Sequence, residues 1–102
     1  MKVVEICKTD TFEKWLGELK DIRARALVLA RIERMALGNP GDVKAVGQGV
    51  SEMRIHYGPG YRVYYGEEGH HIVLLLLGGD KSSQKKDIHK AQEFWDDYRR
   101  NK

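Results

Sequence analysis

The residues best suited to chemistry in this chain lie where apolar and polar side chains alternate. The apolar members are Met53, Ile55, Tyr57, Tyr61, Val63 and Tyr65. Arg54 and His56 precede the turn at 58–60, and Arg62 follows it. Side chains on a strand alternate between faces, so burial of the apolar set gathers the other three on one surface. Two residues along a strand span about 7 Å, so Arg54 and His56 are spaced to contact adjacent parts of one extended ligand.

Such a cluster suits an anionic ligand, and a polynucleotide in particular. Guanidinium groups hold phosphate oxygens in a bidentate fork. Aromatic rings stack on bases, and Tyr64 falls on the same predicted face. In RNA the 2′-hydroxyl attacks the adjacent phosphate, so the protein supplies only a base, an acid and cations. His56 is the natural proton carrier because imidazole titrates nearest neutral pH, and this chemistry requires no metal ion or cofactor.

Further basic residues extend this candidate site. Lys81 follows the end of a strongly apolar segment, where loops commonly supply functional groups. The predicted catalytic residues are Arg54, His56, Arg62 and Lys81. The predicted RNA-binding residues are Lys44, Tyr64, Lys85, Lys86 and His89.

The same residues also have a purely structural explanation. Arginines on one face of an antiparallel sheet are often solvated, or paired with an acid such as Glu52. The sequence leaves this structural explanation and the catalytic one open. His70 and His71 are adjacent and would point to opposite faces of a strand, which makes them a poor metal-chelating pair. The sequence has no phosphate-binding loop, dinucleotide-binding glycine pattern or two-cysteine metal motif. Cys7 is predicted to be a small buried hydrophobe.

Two helices are predicted after a short β-branched strand over residues 3–7. The first helix has Asp10 as its expected N-cap, and Asp21 is expected to cap the second, which ends near Gly38. The apolar stripe of the first helix consists of Phe12, Trp15, Leu16 and Leu19. The stripe of the second consists of Ile22, Ala26, Leu29, Ala30 and Leu37, interrupted by Glu33. The arginines of the second helix are expected on its solvated face.

The rest of the chain predicts a sheet and a final helix. Val43 and Val46 frame a short strand, and residues 53–65 form a hairpin around their glycine-proline turn. The apolar run at 71–77 is typical of a strand covered on both faces. The final helix is expected to begin at Ser82 or Ser83. We predict one α+β domain over residues 1–102, with a small, mostly antiparallel sheet, two N-terminal helices and one C-terminal helix.

Composition limits the class of protein. The chain has 102 residues, 41% of them hydrophobic, and 18 basic against 15 acidic residues. That content is sufficient for one folded core without disulfide bonds or a structural metal ion, and it argues against disorder. A single cysteine favours a reducing compartment, and the longest apolar run, at 72–77, is far shorter than a membrane span. We therefore expect a cytoplasmic protein without a signal peptide or membrane anchor.

Four segments of the chain share their order and spacing with one known family. They are GNPGDVK at 38–44, GQGVSEMRI at 47–55, GPGYRVYY at 58–65 and GGDKSSQ at 78–84. In these segments the chain resembles the HigB-like addiction-module killer proteins of the RelE/ParE toxin superfamily. The resemblance implies the RelE-like microbial RNase fold, with a concave, basic open face on the sheet. It also implies a metal-independent endoribonuclease that cuts mRNA on the ribosome and is neutralised by an antitoxin encoded in an adjacent gene, expected to be a helix-turn-helix protein.

The resemblance assigns roles to four positions. Arg62 matches an arginine that stabilises the scissile phosphate, and Arg54 matches a basic strand residue that binds it. His56 stands where ribonuclease relatives often have a lysine. Lys81 stands where they have a basic residue after the last strand.

One position departs from the family pattern. Some nucleolytic relatives have a tyrosine about six residues beyond the last basic position, whereas this chain has Asp87, with His89 close by. The identity of the general acid and base therefore stays open. Two alternatives also stay open: a non-catalytic inhibitor of DNA gyrase, as in the ParE branch, and an inactive member that acts only in a repressor complex.

Overall fold

The computed structural model describes residues 4–69 and 71–101, so Val3 of the predicted first strand and His70 lie outside the described residues. The elements are β1 (Glu5–Lys8), α1 (Asp10–Glu18), α2 (Ile22–Ala36), β2 (Val43–Gly47), β3 (Val50–Ile55), β4 (Tyr61–Glu68), β5 (Ile72–Gly79) and α3 (Gln84–Arg100). A 3₁₀ turn over Lys81–Ser83 leads into α3.

The five strands form one sheet in the order β1-β5-β4-β3-β2. The β1–β5 pair is parallel, and the other three pairs are antiparallel. Helices α1 and α2 cover one face, and α3 covers the other. The α+β prediction is confirmed, while the single-domain organisation stays a prediction.

The first core lies between the sheet and the two N-terminal helices. Its buried residues are Phe12, Val28, Ile32, Met35, Met53, Ile55, Val63, Tyr65, Val73 and Leu75. All four apolar hairpin residues in this set were predicted to share a face. The strand alternation therefore determines the orientation of β3 and β4.

Helix α2 contacts the sheet through a different side than its sequence predicts. The buried residues are Ala24, Val28, Ile32 and Met35, and the predicted stripe of Ile22, Ala26, Leu29, Ala30 and Leu37 is exposed. Two arginines expected in solvent are instead half-buried. Arg25 donates to the carbonyls of Gly17 and Leu19, and Arg31 donates to the carbonyl of Arg54. These backbone acceptors fix the rotation of the helix about its axis. The prediction that this stripe is the buried apolar side of α2 is therefore wrong.

The second core lies under α3. It contains Val50, Tyr64, Leu74, Leu76, Leu77, Ala91 and Trp95, and the half-buried Cys7 packs against it. This confirms that β5 is covered on both faces. It also shows that the implied open face is wrong where β3, β4 and β5 pass beneath α3, because the Trp95 side of that helix is apolar and buries itself there.

Side-chain caps fix the starts of the first two helices. Thr9, rather than the predicted Asp10, accepts from the backbone N–H of Phe12 at 3.0 Å. Asp21 caps α2 as predicted by accepting from two N–H groups of its first turn. The hydroxyl of Tyr57 also donates to Asp21 at 2.9 Å, which ties the second helix to the hairpin.

Substitution of Gly66 by alanine is expected to destabilise the protein by about 1–3 kcal/mol. The indole of Trp95 lies flat on the β4 backbone, and a Cβ at Gly66 would overlap its ring. Gly17→Ala is the matched control, since a Cβ there meets nothing within 4 Å, and removing a helical glycine stabilises by about 0.5–1 kcal/mol. Urea unfolding of both variants measures the two effects. Equal stability of the two variants would contradict the prediction.

Candidate functional site

The predicted catalytic residues come together at one end of the sheet. Strands β2 and β4 begin there, and β3 and β5 end there. Arg54 stands opposite Arg62 in the β3–β4 ladder, and Arg62 stands opposite Gly79. The segments that follow β3 and β5 at this end supply His56 and Lys81, the latter in the 3₁₀ turn. We call Arg54, His56, Arg62 and Lys81 the basic end.

Asp42 joins two members of the basic end. Its carboxylate lies 3.3 Å from the Arg54 guanidinium and 2.5 Å from Nε2 of His56. Its backbone carbonyl also accepts from the Arg54 N–H at 3.0 Å, so Asp42 is held in the β2–β3 register. The hydrogen bond to His56, followed by the charge of Arg54, lowers the pKa of Asp42. The carboxylate therefore fixes one ring nitrogen of an otherwise exposed histidine.

Replacing Asp42 with asparagine is expected to lower the free energy of unfolding at neutral pH but not in strong acid. The folded-state pKa lies below the unfolded value, so the carboxylate stabilises the fold fully above about pH 4. This stabilisation disappears as the pH falls through the folded pKa. Urea unfolding of wild type and variant between neutral pH and strong acid should show two curves that converge on acidification. The exposed Glu93→Gln is the charge-matched control, and a gap that does not change with pH would contradict this electrostatic origin.

Arg62 lies beside Lys81 but is largely covered. Its Nη1 donates to the carbonyl of Gly60 at 2.6 Å, and its Nε lies 3.5 Å from Glu52. The Lys81 N–H donates to the carbonyl of Pro59 at 3.3 Å. A Cβ at Gly60 would approach both the Arg62 guanidinium and the Lys81 Cβ. The hairpin turn thus holds the Arg62 guanidinium close to the base of the Lys81 side chain.

A buried polar cluster lies between the basic end and α3. Glu52 is fully buried and accepts from Nε2 of Gln84 at 2.9 Å. The buried Tyr64 hydroxyl faces the Glu52 carboxylate without a well-aligned hydrogen bond. Burial, followed by the charge of Glu52, raises the pKa of Tyr64. Glu52 Oε1 and Arg62 Nε also lack hydrogen-bond partners, so the first turn of α3 closes over groups that remain incompletely satisfied.

Comparison with known proteins now identifies the family. Residues 14–95 match the family described as "Phage derived protein Gp49-like (DUF891)". The chain belongs to this Gp49-like family. It is also 49% identical over 89 residues to an uncharacterized protein of Haemophilus influenzae strain Rd, which covers 87% of this chain and 90% of that relative. The family is of the addiction-module type, which confirms the predicted resemblance at that level. The narrower HigB and RelE assignment stays a prediction.

The predicted RNA-binding residues of this Gp49-like protein differ in exposure and in location. Lys44, Lys85 and Lys86 are exposed, the two latter in the first turn of α3. His89 lies farther along α3, in a groove beside the β2–β3 turn rather than at the basic end. Tyr64 is fully buried in the second core. The prediction that Tyr64 presents its ring for base stacking is therefore wrong in this conformation, because α3 covers the ring.

Asp87 occupies the position at which the Gp49-like chain departs from its nucleolytic relatives. It accepts from the Ser83 hydroxyl at 2.5 Å and stands so close to Gly79 that a Cβ there would overlap its carboxylate. Asp87 is therefore part of the contact between α3 and β5. Its half-buried carboxylate also lies close enough to the buried Tyr64 hydroxyl to raise the pKa of that group.

Two polar residues of the site escaped the sequence prediction. Asp42 is not among the predicted site residues, although its position immediately before β2 places it opposite Arg54 across the ladder. Gln84 gave no signal, because its contact with Glu52 depends on how α3 packs. Residues 4–69 and 71–101 contain no group of three or more His, Cys, Asp or Glu side chains placed to hold a metal ion. No helix in this part of the Gp49-like chain is long and apolar enough to cross a membrane.

Proposed function

We propose that this Gp49-like protein is the toxin of a type II toxin–antitoxin pair and cleaves mRNA on the ribosome. The observation that carries the proposal is the basic end, where four cationic or titratable side chains lie at one end of the sheet, two on strands β3 and β4 and two in the segments that follow β3 and β5. Family membership supports the toxin class. Its partners would be the ribosome, a translated message in the cytoplasm and an antitoxin encoded in an adjacent gene.

The proposed reaction uses the RNA as its own nucleophile. The 2′-hydroxyl loses its proton to a base and forms a bond to the adjacent phosphorus, while the bond from phosphorus to the 5′-oxygen breaks. The 5′-oxygen takes a proton from an acid, which leaves a 2′,3′-cyclic phosphate and a 5′-hydroxyl. Arg54, Arg62 and Lys81 would stabilise the charge that develops on the phosphate. His56, exposed and oriented by Asp42, is positioned to transfer one of the two protons.

The burial of Arg62 restricts how a substrate phosphate can reach its guanidinium group. Its side chain is 11% exposed and paired with Glu52, so part of its charge is already neutralised. Phosphate would compete with Glu52 for the guanidinium, and a shift of the first turn of α3 would widen access. Lys85 and Lys86 are in that turn and exposed, where they would meet the RNA backbone first.

The test combines purified protein, ribosomes and a defined message, with mapping of new 5′ ends. We expect 5′-hydroxyl ends inside the translated region, and none when ribosomes are omitted. His56→Ala should slow cutting, with the exposed His71→Ala as its matched control. Intact message at doses that stop protein synthesis would reject cleavage.

Non-catalytic inhibition is the second candidate, and the Glu52–Arg62 pair favours it. An arginine neutralised by a buried carboxylate is a weaker phosphate ligand than a free one. A toxin that acts by protein contact, such as a gyrase inhibitor, would stop replication before translation. It would also tolerate His56→Ala, which separates it from the leading proposal.

A further inference from the structure

Helix α2 presents a second apolar side to solvent. The exposed fractions are 80% for Ile22, 40% for Leu29 and 56% for Leu37, and Ala26 and Ala30 between them are also exposed. We call these five residues the α2 stripe. They recur at helical spacing along the whole length of the helix. The opposite side of α2 is already buried in the first core. A surface of this kind on one side of a helix is typical of a protein interaction site.

Basic residues border the α2 stripe on one flank. Arg23 and Arg34 are both exposed, and at eleven residues apart they stand about 16 Å from each other on the same side of the helix. Arg25 and Arg31 do not contribute, because backbone carbonyls hold their guanidinium groups. Glu33 is the acidic residue within the stripe, and it is also exposed.

We propose that the α2 stripe binds an amphipathic helix of a partner protein that carries carboxylates along one flank. Apolar side chains at helical spacing would pack on the stripe. The flanking carboxylates would meet Arg23 and Arg34, and a donor on the partner would face Glu33 and set the register. The surface therefore specifies both the apolar spacing and the charge of its partner.

A second copy of this chain fits the surface less well. In a two-fold pair whose axis is perpendicular to the two α2 helices, the helices run antiparallel and their equivalent flanks lie side by side. Arg23 of one copy would then stand opposite the other copy's Arg34, and like charges in that position destabilise the pair. The carboxylates of an acidic partner helix would instead be attracted to the arginines on this flank.

The α2 stripe lies on the opposite side of the sheet from α3 and its polar cluster. Binding there does not depend on cleavage, so this inference goes beyond the proposed reaction. The identification of the partner as the antitoxin rests on the proposed function. Binding and cleavage can be measured separately, so the failure of one is distinguishable from the failure of the other.

The test uses two synthetic peptides of about 20 residues, long enough for a helix to form on binding. Both have leucines at the spacing of the α2 stripe; one carries glutamates on a single flank, and the other carries lysines there. Fluorescence anisotropy with the full chain should give at least tenfold tighter binding of the glutamate peptide. The double variant Arg23→Glu/Arg34→Glu should reverse this preference, and Leu29→Glu should abolish binding.

The control for the charge reversal is Arg99→Glu/Arg100→Glu, which makes the same charge change at the exposed end of α3. It should retain the glutamate preference. Circular dichroism checks that each variant is folded. Equal binding of both peptides, no binding of either by folded wild type, or the same reversal in the control would overturn the proposal. Sedimentation provides a further check: a dimer that Leu29→Glu dissolves would assign the stripe to a second copy instead.

Discussion

Replacing Glu52 with alanine is expected to cost about 3–5 kcal/mol of the free energy of unfolding, because a buried charge loses its partner. The side chains of Glu52 and Arg62 are 1% and 11% exposed. Without the carboxylate, the Arg62 guanidinium stays charged beneath α3, and the amide of Gln84 loses its acceptor. Urea unfolding followed by circular dichroism measures the loss.

Two controls define the origin of this loss. Glu52→Leu combined with Arg62→Met removes both charges together, and such apolar replacements are often neutral or stabilising. Asp96→Ala breaks the exposed Arg100–Asp96 pair instead, which should cost less than about 1 kcal/mol. A comparably small loss for Glu52→Ala would show that water reaches the Glu52–Arg62 pair and screens it.

The sheet was largely predictable because its signals are local. In the hairpin, alternation over a few residues assigns every side chain to a face, and the turn at 58–60 sets the register. The cap at Asp21 was predictable for the same reason, since it depends only on the N–H groups of the next turn. The end of the hairpin was less predictable: the predicted hairpin stops at residue 65, whereas β4 continues to Glu68.

The rotation of α2 was not predictable, because two of its sides are apolar. Burial of either side satisfies the helical pattern equally well. The choice depends on the carbonyls that receive Arg25 and Arg31, which belong to the end of α1 and to the hairpin. Those acceptors exist only once the tertiary structure has formed, so hydrophobic spacing alone favoured the wrong side.

The placement of part of the candidate site could be predicted from the sequence. Strand alternation brought Arg54 and Arg62 to one face, and chain order brought Lys81 to the same end. The covering of Arg62 and Tyr64 did not follow, because it depends on where a helix from the C-terminal part of the chain packs. Pairing of Arg62 with Glu52 belongs to the structural explanation that the sequence left open beside the catalytic one, and the structure contains this pair. That pairing changes how the function has to be tested.

Arg62→Lys is expected to slow message cleavage by about 10²- to 10³-fold, the loss typical when one donor to the developing oxyanion is removed. Alanine is the wrong substitution here, because it would leave the buried Glu52 carboxylate unpaired and would mix folding with chemistry. Lysine keeps the positive charge beside Glu52 but loses the planar fork that holds two phosphate oxygens.

The rate constant for the appearance of new 5′ ends on ribosome-bound message is the measurement that decides the role of Arg62. Arg100→Lys, the same change at the exposed end of α3, should cleave at the wild-type rate. Urea unfolding should show Arg62→Lys to be folded, so that a slow rate reports the loss of phosphate binding. Wild-type cleavage by folded Arg62→Lys would remove Arg62 from the reaction and assign it to the Glu52 pair alone. The basic end would then act through Arg54, His56 and Lys81, which are the members that the structure leaves accessible to RNA.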